Sequence, residues 1–183
     1  MEPAILKDKE HSTFRQAVRK FVEEEVKPNA KNWEQEKYFS VDLLSKFASK
    51  GFLGISLPNS VGGGEKDFWF EVILAEELAR SRALGWALSI LVQGNMLAPL
   101  IFQLGTTEQK EKILKPALHG DFYLALAVTD PSSGSDLASI STTAILNSKN
   151  YVLNCENRYI TNGSGARYYV VLARTETKKN IWS

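Results

Sequence analysis

YLALAVTDPSSGSD, residues Tyr123–Asp136, opens as an apolar run of strand-forming residues and closes in a turn of small ones. From Tyr123 to Thr129 the composition is that of a strand. The turn that follows, Pro131-Ser132-Ser133-Gly134-Ser135, carries almost no side-chain bulk. A backbone of that kind can bring several N–H groups against a ligand and form an anion-binding concavity. The hydroxyls of Ser132, Ser133 and Ser135 would add donors. Pro, Ser and Gly also make an ordinary polar turn after a strand, and the stretch by itself leaves both readings open.

Upstream, the hydrophobic period is helical. Phe14, Val18, Phe21 and Val22 share one face of an amphipathic helix, with Ser12 placed to cap it. Pro28 interrupts or kinks the pattern and Trp33 resumes it. A second helix opens at Ser40, runs through Val41, Leu44 and Phe47, and meets Gly51 where a C-terminal cap is expected. GFLGISLPNSVGGGEKD, with Pro58 and Gly62-Gly63-Gly64, reads as an irregular loop with scope to move. Phe68 to Arg82 is apolar on more than one side, the mark of a buried helix. Glu76 and Arg80 form an i,i+4 pair on its wet face. Glu76 and Glu77 point about 100° apart, which favours a solvated edge over a catalytic carboxylate pair. Leu84 to Leu104 is apolar again, broken by Gly94-Asn95 and Pro99, and reads as one or two short helices. Thr106 to Gln109 has capping-box spacing, for a helix that carries Ile113, Leu114 and Leu118 and ends near Gly120.

Downstream, strands are expected at Tyr123–Thr129, Thr142–Leu146, Tyr151–Leu153, Arg158–Thr161 and Tyr168–Ala173. Ser148-Lys149-Asn150 and Asn162-Gly163-Ser164-Gly165 supply turn chemistry between them. Helices followed by strands give an α+β class. The expected division is an all-helical domain over residues 1–121 and a β-domain over residues 122–183. So small a β unit has little core and an exposed edge, so the chain is expected to be cut short.

The 183 residues are 44% hydrophobic and 23% charged, with a net charge of +1. These values suit an ordinary globular protein with a sizeable core. Nothing in the charge balance favours nucleic acid or an acidic membrane surface. The mixed run Glu108-Gln109-Lys110-Glu111-Lys112 reads as a solvated helix face. A single cysteine, Cys155, excludes an intramolecular disulfide and fits a structural place in a strand better than a reactive thiol. His11 and His119 sit among charged or turn residues and form no metal-ligand pattern with it. No apolar run approaches the length of a transmembrane helix, and MEPAILKDKEHSTF lacks a signal-peptide core. The expected location is intracellular and reducing: the cytoplasm, or the mitochondrial matrix of a eukaryote, although no transit peptide is seen.

Ala127-Val-Thr-Asp-Pro-Ser-Ser-Gly-Ser-Asp136 resembles the first signature of the acyl-CoA dehydrogenases, in which Thr-Glu-Pro precedes two small residues and Gly-Ser-Asp. Tyr159-Ile-Thr-Asn-Gly163 resembles their second flavin-contact motif, commonly Trp-Ile-Thr-Asn-Gly, at a fitting separation. Leu57-Pro58 with the glycine run, Glu76-Glu77-Leu78-Ala79-Arg80, Gly105-Thr106-Thr107-Glu108-Gln109-Lys110 and Val171-Leu172-Ala173-Arg174 are similar as well. The resemblance runs from about His11 to Arg174.

It implies a fold: an N-terminal helical domain, then a middle β-barrel-like domain of which this chain holds the opening half. The family's C-terminal four-helix domain is absent. It also implies a chemistry. Such proteins bind FAD and an acyl-CoA thioester; a glutamate base takes the α proton while hydride passes from the β carbon to flavin N5. Electrons usually leave to an electron-transferring flavoprotein, and the intact enzymes are expected to be homo-oligomers. By the same resemblance, Leu126, Ala127, Val128 and Thr129 lie beside the isoalloxazine ring, with Thr129 among its hydrogen-bond donors. Gly134 and Ser135 match contacts to the pyrophosphate and the bound acyl-CoA. Tyr159 matches the aromatic that packs on the flavin, Ile160 follows it, and Thr161 matches a hydroxyl near N5. From the residues alone, Tyr159 reads equally as a cross-strand core aromatic. Asp130 stands where the family has Glu and reads as serving loop structure; Tyr159 stands where Trp is commoner. The family's base lies in the absent half, so no residue here matches it. The region Trp86 to Leu100 is implied to line an acyl pocket of undetermined depth. Two alternatives remain: a substrate carried on an acyl-carrier protein, and a non-catalytic binding module.

Overall fold

The computed structural model describes residues 8–36 and 39–175, the Glu34 side chain excepted; the outer limits of the two expected domains lie outside them. Helix α1 spans Lys9–Phe21. Its cap is Asp8, not Ser12: the carboxylate accepts from the Glu10 and His11 amides at 2.7 and 3.0 Å. An anion there also meets the positive end of the helix dipole, which a serine further along cannot do. Helices α2 (Ala30–Glu36) and α3 (Val41–Ser49) follow, α3 capped by the Ser40 hydroxyl and closed by Gly51 at φ +74°. Residues 51–67 form the irregular segment expected, with one short 3-10 turn at Asn59–Val61, and the segment is packed down. Phe52, Leu53, Ile55, Leu57 and Val61 are buried. The Gly64, Glu65 and Lys66 amides donate to the carbonyls of Gly54, Leu57 and Ile55.

Helix α4 spans Phe68–Ala79 and ends three residues before Arg82, which takes φ +61°. Leu84–Leu104 is one continuous 21-residue helix, α5, longer than the one or two short helices expected. By length and composition alone it could cross a membrane, contrary to the expectation that no such run exists, but half of that stretch is buried inside the fold. Its middle, Val92–Leu97, is a wider i→i+5 turn that ends just before Pro99. Val22–Val26 and Lys110–Leu114 are wider turns placed in the same way before Pro28 and Pro116. A proline in a regular helix lacks its N–H and strikes the carbonyl one turn back, and the widened turn accommodates both. Helix α6 covers residues 107–119, opens on the Thr106–Gln109 capping box and closes at Gly120, φ +82°.

Strands follow: β1 (Tyr123–Ala127), β2 (Thr143–Asn147), β3 (Asn150–Asn154) and β4 (Ala166–Val171). β1 pairs in parallel with β4, and β2 with β3 as an antiparallel hairpin. Arg158–Thr161 is no strand. Tyr159 and Asn162 sit at φ +56° and +65°, a left-handed backbone that a strand excludes. No closed barrel forms among the described residues. One core runs from Val18 and Phe21 of α1 through Phe47, Leu78, Trp86 and Leu114 to Phe122, Tyr123 and Leu124. β1 is thus packed into the helical layer, while the β2–β3 hairpin leaves Ile145, Leu146, Tyr151, Val152 and Leu153 exposed.

Candidate functional site

The turn after β1 is built around Asp130. Its carboxylate is 4% exposed and accepts from the Ser132 amide and hydroxyl at 3.0 and 2.8 Å. From the far side it takes the Ser141 amide and hydroxyl at 2.7 and 2.9 Å and the Thr142 amide at 3.2 Å. Burial opposes the charge, but the bonds from Ser132, Ser141 and Thr142 prevail and hold the carboxyl far below the usual carboxylate range. Ser133 donates its amide to the Asp130 carbonyl and its hydroxyl to the Asp136 carbonyl. Arg174 braces the return of the loop, donating Nε to the Ile140 carbonyl at 2.7 Å and Nη2 to that of Ala138.

These bonds sort the donors expected of the turn. The hydroxyls of Ser132 and Ser133 and both their amides are spent inside the loop, so they leave the set. Among the described residues, the Gly134 and Ser135 amides and the Ser135 hydroxyl have no protein partner, and both residues are exposed. A Cβ at Gly134 would meet nothing within 4 Å. The open space beside two free amides is of the kind an anionic group fills.

The second segment is tied to the first through main chain. The Thr129 carbonyl accepts from the Arg158 amide at 2.9 Å and from Asn157 Nδ2 at 3.2 Å. Ala127 and Ile160 meet in the wall of an open groove of about 550 Å³, with Leu153, Cys155, Asn157, Gly163, Tyr169 and Val171. Leu126, Val128, Thr129, Gly134, Ser135, Tyr159 and Thr161 lie outside that lining; Leu126, Val128, Thr129 and Thr161 are half-buried. Tyr159 is 93% exposed, which removes the core-aromatic reading of its ring.

Two family patterns match in sequence order: acyl-CoA dehydrogenase N-terminal domain over residues 8–121, and acyl-CoA dehydrogenase middle domain over residues 125–182. The chain belongs to the acyl-CoA dehydrogenase family. Its similar proteins include a 3-(aryl)acrylate reductase of Clostridium sporogenes, 37% identical over 93% of this chain and 45% of that protein. A short-chain specific acyl-CoA dehydrogenase of Clostridium acetobutylicum is 35% identical over the same shares. Among solved structures, a glutaryl-CoA dehydrogenase from Mycobacterium smegmatis in complex with FADH2 superposes with a TM-score of 0.88 at 27% identity, covering 96% of this chain and 45% of that one. The chain therefore spans about 45% of the length of the curated relatives it matches.

Several side chains stand elsewhere than the sequence places them. Glu77 is no solvated edge. It is 1% exposed, with Arg19 at 2.7 Å, Arg15 at 3.0 Å and Arg80 at 3.5 Å. Glu76 reaches Arg15 at 2.6 Å, where an Arg80 pair was expected. Cys155 is exposed just past β3, outside any strand. His11 is buried against the Phe70 ring. Two buried side chains were missed altogether: Ser89 and Gln93 of α5, both fully buried. The signal was present, since a polar side chain inside so apolar a helix requires a partner.

Proposed function

We propose that this chain carries part of the FAD and acyl-CoA site of an α,β-dehydrogenase of acyl thioesters. The observation that carries the reading is the Asp130-locked turn, which leaves the Gly134 and Ser135 amides free beside open space. When bound, the flavin supplies the hydride acceptor for the reaction. The chain's own contribution is placement. Gly134 and Ser135 hold an anionic phosphate group through two amides and a hydroxyl, Ser135 serving the acyl-CoA as well. Leu126, Ala127, Val128 and Thr129 give one wall, Thr129 offering its hydroxyl. Tyr159, Ile160 and Thr161 give the facing aromatic surface and a second hydroxyl. The exposure of Tyr159 supports this, because an aromatic ring in water at a left-handed backbone position contributes nothing to the core. The same reading puts the chain in the cytoplasm or, in a eukaryote, the mitochondrial matrix. It also makes an electron-transferring flavoprotein and further copies of the protein partners of the whole enzyme.

The test is a titration of purified chain with FAD, followed by quenching of flavin fluorescence. Saturable quenching that Gly134→Val weakens at least tenfold is expected. Equal binding by wild type and Gly134→Val removes the turn from the site.

A second reading, a binding module without catalysis, is favoured by one observation: among the described residues, no acidic side chain lines the groove.

A further inference from the structure

Among the described residues, β1 has β4 on one side and no strand on the other. In a strand the N–H and C=O of one residue point to the same side, and successive residues alternate. The Ala127 carbonyl accepts from the Leu172 amide, so Tyr123, Ala125 and Ala127 face β4. Leu124 and Leu126 face the open edge. Leu124 is fully buried, and an unpaired main-chain group there is costly.

Side chains take the place of the missing strand. Gln93 Oε1 accepts from the Leu124 amide at 3.1 Å, and Asn162 Nδ2 donates to the Leu124 carbonyl at 2.9 Å. The Ser89 hydroxyl donates to Asn162 Oδ1 at 2.6 Å. Gln93 Nε2 donates to the carbonyls of Ala117 and Phe122 at 2.8 and 3.3 Å. Ser89 and Gln93 lie one helical turn apart on α5 and so share a face. Asn162 sits at φ +65°, a backbone region that asparagine tolerates better than most residues. The closed set of bonds runs from α5 through Asn162 and Leu124 back to α5. It joins the helical layer, the strand that leads into the Asp130 turn, and the turn that carries Tyr159 and Thr161.

We propose that Asn162 and Gln93 are positioning residues: they cap the open edge of β1 and hold the 159–163 turn against it. Their service to a flavin rests on the reading above; their service as a clamp does not. Without the Asn162 side chain, the turn keeps the pairing of β4 with β1 from Ala166 onward and, at its other end, the contacts of Thr129 with Arg158 and Asn157, but loses its direct tie to Leu124.

Two substitutions separate the clamp from the backbone. Asn162→Gly keeps the left-handed conformation and removes the bonds. Asn162→Asp keeps the shape and replaces the donor with an acceptor, and protonation in acid restores a donor. The readout is amide hydrogen exchange by residue on the ligand-free chain, with FAD titration on the same samples. In Asn162→Gly the amides of Gly163, Gly165 and Ala166, which the carbonyls of Ile160 and Asn162 hold, are expected to exchange at least tenfold faster, those of α1 and α4 unchanged. In Gln93→Met the Leu124 amide is expected to lose protection at least tenfold. FAD affinity is expected to fall at least tenfold in both Asn162 variants and to recover in Asn162→Asp alone as pH falls towards the ordinary aspartate value of about 4. Unchanged exchange at Gly163, Gly165 and Ala166, or acceleration spread evenly over the whole chain, overturns the clamp. A wild-type chain that binds no FAD overturns the flavin reading, and the exchange data still decide the clamp.

Discussion

Asp130 shows how one carboxylate can fix a loop and free a site. It gathers Ser132 from one side of the turn and Ser141 and Thr142 from the other, and so turns the next two amides outward. The folded pKa lies below the unfolded one. Its stabilising share is therefore present above the ordinary aspartate value of about 4 and is lost as pH falls below it. Thermal melts of wild type and Asp130→Asn should differ most at neutral pH, wild type being the more stable, and the gap should begin to narrow as pH falls below about 4. A gap that stays constant over that range assigns the latch no role for charge. Gly134 gives the complementary case. Because its Cβ would meet open space, Gly134→Ala should leave the melting temperature within about 1 °C of wild type, the usual range for neutral surface changes. Asp130 was legible as a loop residue because an aspartate ahead of a Pro-Ser turn has donors within reach. The loss of Ser132 and Ser133 as ligand donors was not, since it depends on Ser141, Thr142 and Asp136, which only the folded loop brings near.

Between elements, the α1–α4 contact turns on Glu77. A buried carboxylate is costly unless its charge is met, and here Arg19 and Arg15 meet it from α1 while Arg80 reaches it along α4. Burial raises its pKa, but the two α1 guanidiniums outweigh burial and leave it lowered. Glu77→Ala leaves Arg15, which is mostly buried, with Glu76 at 2.6 Å but without its buried carboxylate partner, while Arg19 and Arg80 keep access to water. The expected loss is about 3 kcal/mol, the low end for breaking a buried pair, read from chemical denaturation midpoints at pH 7. A loss below 0.5 kcal/mol would show that the pair only balances its own desolvation. The helices themselves were legible from their hydrophobic period, and so was the capping box. The fate of Glu77 was not, because its partners lie some sixty positions away in sequence. The same limit explains Tyr159-Ile160-Thr161: β-forming side chains read locally as a strand, yet the hydrogen bonds that bend this segment come from Leu124 and Ser89.

Taken whole, the molecule places its core in the helices and its candidate site at the margin of the β part, where β1 leaves that core. That division was legible, since the change from helical to strand-type patterning falls between His119 and Tyr123, where the helices end and β1 begins. That no residue here matches the family's base is what the resemblance implies; which side chains converge on the groove was not legible, because that depends on the fold. The groove wall offers Ala127, Leu153, Cys155, Asn157, Ile160, Gly163, Tyr169 and Val171, and no carboxylate. Asp130 and Glu77 are each held by several donors that lower their pKa, which suits neither to take a proton near neutral pH. A general base must lie within hydrogen-bond reach of the proton it removes, and none of the acidic groups in the described residues does so at this groove. A flavin held only between these groups, of which Tyr159 is almost fully exposed, also stays in contact with water, which weakens every electrostatic interaction on which hydride transfer relies. Residues 1–183 mixed with FAD and a range of acyl-CoAs under anaerobic conditions should therefore bind without bleaching the flavin. The control is an intact short-chain dehydrogenase measured in parallel. Bleaching by this chain at a rate within tenfold of the control would place a working base among its own residues. The reading of this chain as a positioning half of the site would then fall.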